Sequence, residues 1–374
     1  YTSTGNSSGF EVSGATIIEG DVATLLTLQG YTYCNVNITD TSVSAVDIIT
    51  LENMVGPDVS LSNVSTITST VAAISAVTTL YSGSSSDVTN KGSQAITITD
   101  GSITVTQANA IDGYTSGVVT ATLSTTDAST LATLTGTGNA YTLTVADTTV
   151  TAANLNTIDA ATTVAITASA ATTITGSASA VDTALSSSGI TGLGEEFVTL
   201  SGTTAVADAN TVSGKTTGTV TATISEGDAA TLVTLNETTN AYTITVTDSS
   251  VSAANLITLD GLTSVAVAVN STTLTGSCSN VTAVYNANTA GTISGLGNEA
   301  VTLSDTTLAA ADLNTLNGLT TGVVNAGTVT TLTGAAADAN TAYAADAAGT
   351  ISGLGDEAVT LSDTTLAASV LNTL

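Results

Sequence analysis

The stretch DTTLAAADLNTLNG, residues 305–318, returns as DTTLAASVLNTL at 363–374. Looser copies are DTSVSAVDIITLEN from Asp40, DTTVTAANLNTIDA from Asp147 and DSSVSAANLITLDG from Asp248. Other segments keep the same spacing. NAYTLTV from Asn139 recurs as NAYTITV from Asn240, and GYTSGVVTATLS from Gly113 as GKTTGTVTATIS from Gly214, each 101 residues on. ITGLGEEFVTLS from Ile190 becomes ISGLGNEAVTLS after 103 residues, at Ile293, and ISGLGDEAVTLS after a further 58, at Ile351. The chain therefore divides into super-repeats of approximately 9–112, 113–213 and 214–316, with a shortened unit at 317–374.

Each long unit divides again. In AYTLTV, Tyr141, Leu143 and Val145 share one face and Thr142 and Thr144 the other, the period of a half-buried strand. In VTAANLNTIDA, Ala152, Leu155 and Ile158 recur every three residues, which puts them on one helical face. About fourteen such strand–helix units follow one another, most about 22–24 residues long. Every fourth is longer, roughly 34–37 residues, and carries a GLGxE link. A unit of that size cannot bury its own apolar face, whereas stacking many of them buries a continuous core. The expected fold is an α/β solenoid of about fourteen stacked strand–short-helix coils, with a parallel sheet on one side, forming one elongated rod over 1–374 of roughly 65 Å at the strand spacing. Tandem Ig-like β-sandwiches are the alternative, because about 100 residues is their usual size. The shortened unit argues against them. There, TLAAADLNTLNGLTTG runs straight into VVNAGTVTTLTG and two middle segments are missing. A sandwich does not survive that loss, but a solenoid loses only coils.

The punctuation agrees with short helices. Ser124–Asp127 and Ser225–Asp228 have capping-box spacing, with Asp in place of Glu or Gln. Gly113, Gly261 and Gly318 follow helical patterns where a left-handed C-cap favours glycine.

The chain has 374 residues, 30 of them acidic, with two lysines, Lys91 and Lys215, and no Arg or His, for a net charge of −28. Such a surface repels nucleic acid and anionic lipid. No apolar run approaches the roughly 18 residues of a membrane span, so no membrane insertion is expected. The near absence of Lys, Arg and His removes most general bases, phosphate clamps and triads, and the expectation is that the protein is not an enzyme. Residue 1 is Tyr rather than Met, which fits a processed, exported protein. Cys34 and Cys278 would lie about nine coils apart, roughly 40 Å at the strand spacing. They are therefore expected not to bond to each other.

Two sets of residues are candidates for binding. Asp40, Asp100, Asp147, Asp248, Asp305 and Asp363 open many helices, where they read as helix caps or as calcium ligands between neighbouring coils. Glu196, Glu299 and Glu357 of the GLGxE links, with Glu195 and Asp356, extend the possible calcium set. Thr120, Thr122, Thr142, Thr144, Thr219, Thr221, Thr223, Thr243 and Thr245 would form an outward threonine array on the strands. Its functional reading is a flat ice- or surface-binding face, interrupted by outward Ala165 and Ala266.

The units VTLSDTTLAAADLNTLNG and TTLTGAAADANTAYA resemble those of very long, Thr/Ala/Asp-rich bacterial cell-surface proteins: giant adhesins, S-layer-like proteins and β-strand-repeat proteins. The resemblance lies in repeat style and covers nearly the whole chain after Gly9. It implies secretion, an extracellular location at the cell surface, assembly there and often calcium. The resulting expectation is a structural repeat protein that self-assembles end to end, as a homo-polymer, into an extracellular filament or surface layer. The alternatives are a non-polymerising adhesin spacer and an ice- or surface-binding rod.

Overall fold

A computed structural model describes residues 17–28, 34–56, 58–82 and 87–372. Among them, fourteen short helices alternate with short strands that pair in parallel, and the fold is an α/β solenoid. The chain divides into two compact units, one of residues 1–172 and 183–193, the other of 173–182 and 194–374.

The coils that open the first unit build two columns of strands. One column is Ile18–Gly20, Val36–Ile38, Val59–Ser60 and Val88–Thr89. The other is Ser42–Ser44, Thr66–Ser69, Ala95–Ile98, Val119–Thr122 and Ala140–Thr142. An ordinary coil thus runs strand, corner, strand, helix. The sequence pattern assigns each coil one strand, because the extra strands are only two or three residues long, too short to display alternation.

The second unit shows why every fourth coil is long. Its coil at 293–317 has three strands, Ile293–Ser294, Ala300–Leu303 and Thr307–Ala309, before the helix Ala310–Asn317. Ile293–Ser294 closes the column that contains Thr245–Val246 and Val267–Val269. Ala300–Leu303 pairs backward with the second strand of the preceding coil, Thr273–Gly276, and forward with the first strand of the next, Val324–Asn325. Thr307–Ala309 opens a new column with Thr331–Gly334 and Ala358–Leu361. The long coil therefore moves the path on by one column. The first unit does the same at Val88–Thr89, Ala95–Ile98 and the bridge of Ile103 to Leu123.

Inward residues stack in register. Val43, Ile67, Ile96 and Val119 form one buried ladder, and Leu274, Val301, Val324 and Ile351 another. Each such side chain contributes roughly 1.5–3 kcal/mol by burial. Tyr141, Leu143 and Val145 are buried while Thr142 and Thr144 are exposed. Ala152, Leu155 and Ile158 are buried on one side of the helix Ala152–Ala161.

Two readings of the helix ends are corrected. Asp127 and Asp228 are themselves the N-caps of the helices Ala128–Leu131 and Ala229–Leu232, accepting the N–H of Thr130 and Thr231, so neither is the third residue of a capping box. A complete capping box is formed by Thr104 with Gln107. Gly113 and Gly318 end their helices with right-handed φ of −64° and −77°, and Gly261 lies inside the helix Ala253–Leu262. The N–H groups of Gly113 and Gly318 still bond back into the helix, so no chain reversal calls for a left-handed residue there.

Candidate functional site

Nine of the eleven carboxylates singled out in the sequence, the six aspartates with Glu196, Glu299 and Glu357, share one behaviour: each accepts a backbone N–H. For the six aspartates the donor lies in the preceding coil. Asp40 takes the N–H of Val22, Asp147 that of Ala128, Asp248 that of Ala229, Asp305 that of Cys278 and Asp363 that of Ala336, at 2.6–2.8 Å. In each case the donor is the first residue of the preceding helix. Asp100 bonds the N–H of Val71, just ahead of the helix Ile74–Tyr81. Glu226 does the same for Val206, a residue the sequence did not mark. These N–H groups have no partner within their own helix, and the positive helix end favours an anion. The capping half of the sequence reading thus describes these contacts, with the target one coil upstream.

Some helices are held twice. Asp228 caps the four-residue helix Ala229–Leu232 from its own coil and Asp248 from the next. Asp127 and Asp147 do this for Ala128–Leu131. Hydrogen bonds from the side chains of Thr130 and Ser129 and the N–H of Thr130 keep the Asp127 carboxyl below the usual range. So short a helix is not stable alone, and the second clamp ties it to the stack. Asp248→Ala is expected to lower stability by about 1 kcal/mol, while Thr247→Ala is near neutral. Equilibrium denaturant unfolding measures the difference, and equal effects would remove the inter-coil role.

The glutamates belong to a second device. Glu196 accepts the N–H of Gly194, Glu299 that of Gly297 and Glu357 that of Gly355, at 2.7–2.8 Å, folding the link back on itself. Glu299 also accepts from the Tyr285 hydroxyl at 3.3 Å, and Glu357 from that of Tyr343. The loop of the next coil docks on this turn. Thr216 Oγ1 donates to the Glu196 carbonyl at 2.6 Å, and Thr320 Oγ1 to that of Glu299 at 2.9 Å. A fourth copy escaped the sequence reading. Gln94 accepts the N–H of Gly92 at 2.9 Å, and Thr115 Oγ1 donates to its carbonyl at 2.5 Å.

Two buried asparagines, Asn139 and Asn240, join strands where the NAY repeat begins. Asn139 accepts the Val119 N–H and donates to Asp112. Asn240 accepts the Val220 N–H and donates to Ser213 and to the Tyr242 hydroxyl. The equivalent hydroxyl, on Tyr141, is buried with no hydrogen-bond partner. Tyr141→Phe is therefore expected to raise stability by about 1 kcal/mol, and Tyr242→Phe to lower it by about as much. Urea titration of the two variants checks the opposite signs, and a shared sign would refute the contrast.

The threonine array is outward as expected. Thr120, Thr122, Thr142, Thr144, Thr221, Thr223 and Thr243 are exposed, while Thr219 and Thr245 are half-buried. Thr122 sits opposite Thr142, and Thr203, Thr223 and Thr243 are in line. Thr120 and Thr221, however, face Ala140 and Ala241, and Ala165 and Ala266 are exposed.

A cleft of about 460 Å³ lies between the helix Cys278–Ala290 and the strand Thr307–Ala309, lined by Cys278, Asp305 and Asp312 among others. Burial pushes the Cys278 thiol up to about 11, which leaves it protonated at neutral pH. Neither cysteine forms a disulfide, and Lys215 is paired with Asp182. Among the described residues, no three carboxylate or thiol side chains converge as a metal site, and no helix is long and apolar enough to cross a membrane. Comparison with protein-family models, curated protein sequences and solved structures finds no match to this chain.

Proposed function

We propose that this chain is a structural repeat protein of the cell exterior that assembles end to end with copies of itself into a filament or layer. One observation carries the reading: the repeated carboxylates, which are the residues best able to support chemistry, each hold a backbone N–H, and the six aspartates do so from one coil to the one before. A side chain spent this way serves cohesion along the stack and not turnover of a substrate. The partner we assign is a second copy of the chain, met end to end.

The net charge of −28 opposes such contact, and divalent cations such as calcium would weaken the repulsion without a dedicated cage. Electron microscopy of the purified chain in calcium, in chelator and in concentrated monovalent salt tests the reading. Filaments or sheets are expected, strengthened by either cation condition. Isolated particles under all three would reject assembly and favour the adhesin spacer.

A further inference from the structure

Four turns in this chain share an unusual backbone. A residue with φ of 60–92° (Asn90, Gly192, Gly295 or Gly353) is followed two places later by a glycine with φ of 111–141° (Gly92, Gly194, Gly297 or Gly355). Two places further on stands the clamping side chain, Gln94, Glu196, Glu299 or Glu357. The shared dihedrals make these side chains equivalent, so the glutamine copy shows what the pocket asks of the others.

Gln94 uses both ends of its amide. Its Oε1 accepts from the Gly92 N–H at 2.9 Å and the Tyr81 hydroxyl at 3.4 Å, while its Nε2 donates to the Asn90 carbonyl at 2.6 Å. Glu299 reproduces the first half, with Oε2 accepting from Gly297 N–H and the Tyr285 hydroxyl. Its other oxygen, Oε1, is buried with no hydrogen-bond partner, and the residue is 1% exposed. By the equivalence, Oε1 takes the place of a donor facing a backbone carbonyl, that of Gly295. Two bare acceptors facing each other in a buried pocket repel, and an unpaired buried charge is costlier still.

We propose that Glu299 is held as the neutral carboxylic acid, its Oε1–H donating to the Gly295 carbonyl as the Gln94 amide does to Asn90. The proton comes from solvent when the chain folds. Tyr285, on the helix Cys278–Ala290, is the titratable group that faces this carboxyl, and it is a donor: burial pushes its phenol up to about 12. The covering loop brings Leu319, Thr320, Thr321 and Gly322, none of which titrates. Glu357 is the informative contrast. It is half-buried, and although burial raises its carboxyl, bonds from the Tyr343 hydroxyl and backbone N–H groups outweigh that and keep it ionised. The sealed, unpartnered Oε1 is what sets Glu299 apart.

The unfolded chain releases this proton above about pH 4.3, so folding takes one proton up, and raising the pH costs stability until the folded state also ionises. The test uses the full chain and its Glu299→Gln variant. Infrared spectra at pH 7 are expected to show a protonated-carboxyl band that the variant lacks. From about pH 4.3 upward, the folding constant of wild type relative to the variant is expected to fall by up to tenfold per pH unit, the limit for one proton. At pH 7 the variant is at least as stable as wild type. A spectrum of wild type without that band overturns the proposal, even if the variant fails to fold. So does a parallel pH dependence of the two proteins. Stabilisation of wild type but not the variant by added calcium would place a cation where we place the proton, and also overturns it.

Discussion

Gly218→Ala is expected to lower the stability of this protein by about 3 kcal/mol, the upper part of the usual range for overpacking. The reason is close approach and not backbone strain. A Cβ at residue 218 would lie 2.2 Å from the carbonyl oxygen of Glu196, and at Gly322 and Gly117 the same atom would meet the carbonyls of Glu299 and Gln94 at 2.1 and 2.4 Å. All three obstacles are backbone, and each is already fixed by a threonine hydroxyl two residues before the glycine. Relief therefore requires the coils to move apart, which breaks ladder bonds such as that from Val198 N–H to the Thr219 carbonyl. In a stack where each coil touches only its neighbours, the damage stays local. Hydrogen exchange should accelerate around 194–224 and remain slow around the ladder of Leu274 and Val301. Gly261→Ala is the control. Gly261 lies inside a helix with nothing within 4 Å of its would-be Cβ, and alanine there is expected to stabilise by roughly 0.4–1 kcal/mol. Denaturant unfolding of the two variants reads opposite signs, and a Gly218→Ala protein as stable as wild type would refute the docking argument.

The sequence shows some of this directly. Tyr141, Leu143 and Val145, and then Ala152, Leu155 and Ile158, betray a strand and a helix because each run is long enough for its period to appear. A first strand such as Val59–Ser60 has two residues and no period, so the second strand column was hidden. The aspartates were recognisable as helix-end anions, but spacing assigns Asp147 to the helix that follows it. In space its carboxylate meets Ala128, 19 residues back, because stacking brings the preceding helix end closer than the chain does. Gln94 was missed for a different reason. The letters NKGSQ do not resemble GLGEE, yet Asn90 adopts the left-handed conformation that glycine has in the other copies, as asparagine can. The turn repeats in dihedral angles where it does not repeat in letters. The exact NAY repeat did carry a signal for Asn139 and Asn240, since a buried polar residue kept at the same repeat position has a bond to make.

Deleting Val220–Ala266 is expected to leave a folded protein, although it removes two helices and four strands. The new junction joins Thr219 to Val267. Val267 and Val269 would then occupy the inward places of Val220 and Ala222, all four of which are buried in the intact chain. The strand Phe197–Thr204 would receive Val267–Val269 in place of Val220–Ile224 and, in its later half, Thr273–Gly276. The helix Val206–Ser213 would be followed by Cys278–Ala290. That arrangement already exists in the same unit, where Ala300–Leu303 receives Val324–Asn325, Thr307–Ala309 receives Thr331–Gly334, and Ala310–Asn317 is followed by Ala336–Ala347. The deletion copies a junction that evolution has already made, so strand faces and column order are both kept. A deletion of Val220–Ser252 differs only in where it stops, and it joins Thr219 directly to the helix Ala253–Leu262. A helix would then fall where Val198 needs a strand partner, leaving ladder groups and inward valines uncovered at a cost of several kcal/mol. Circular dichroism and cooperative thermal unfolding should be retained in the first variant and lost in the second. If the first variant does not fold, the coils are not interchangeable units, and the column-shift account of the long coil fails with them.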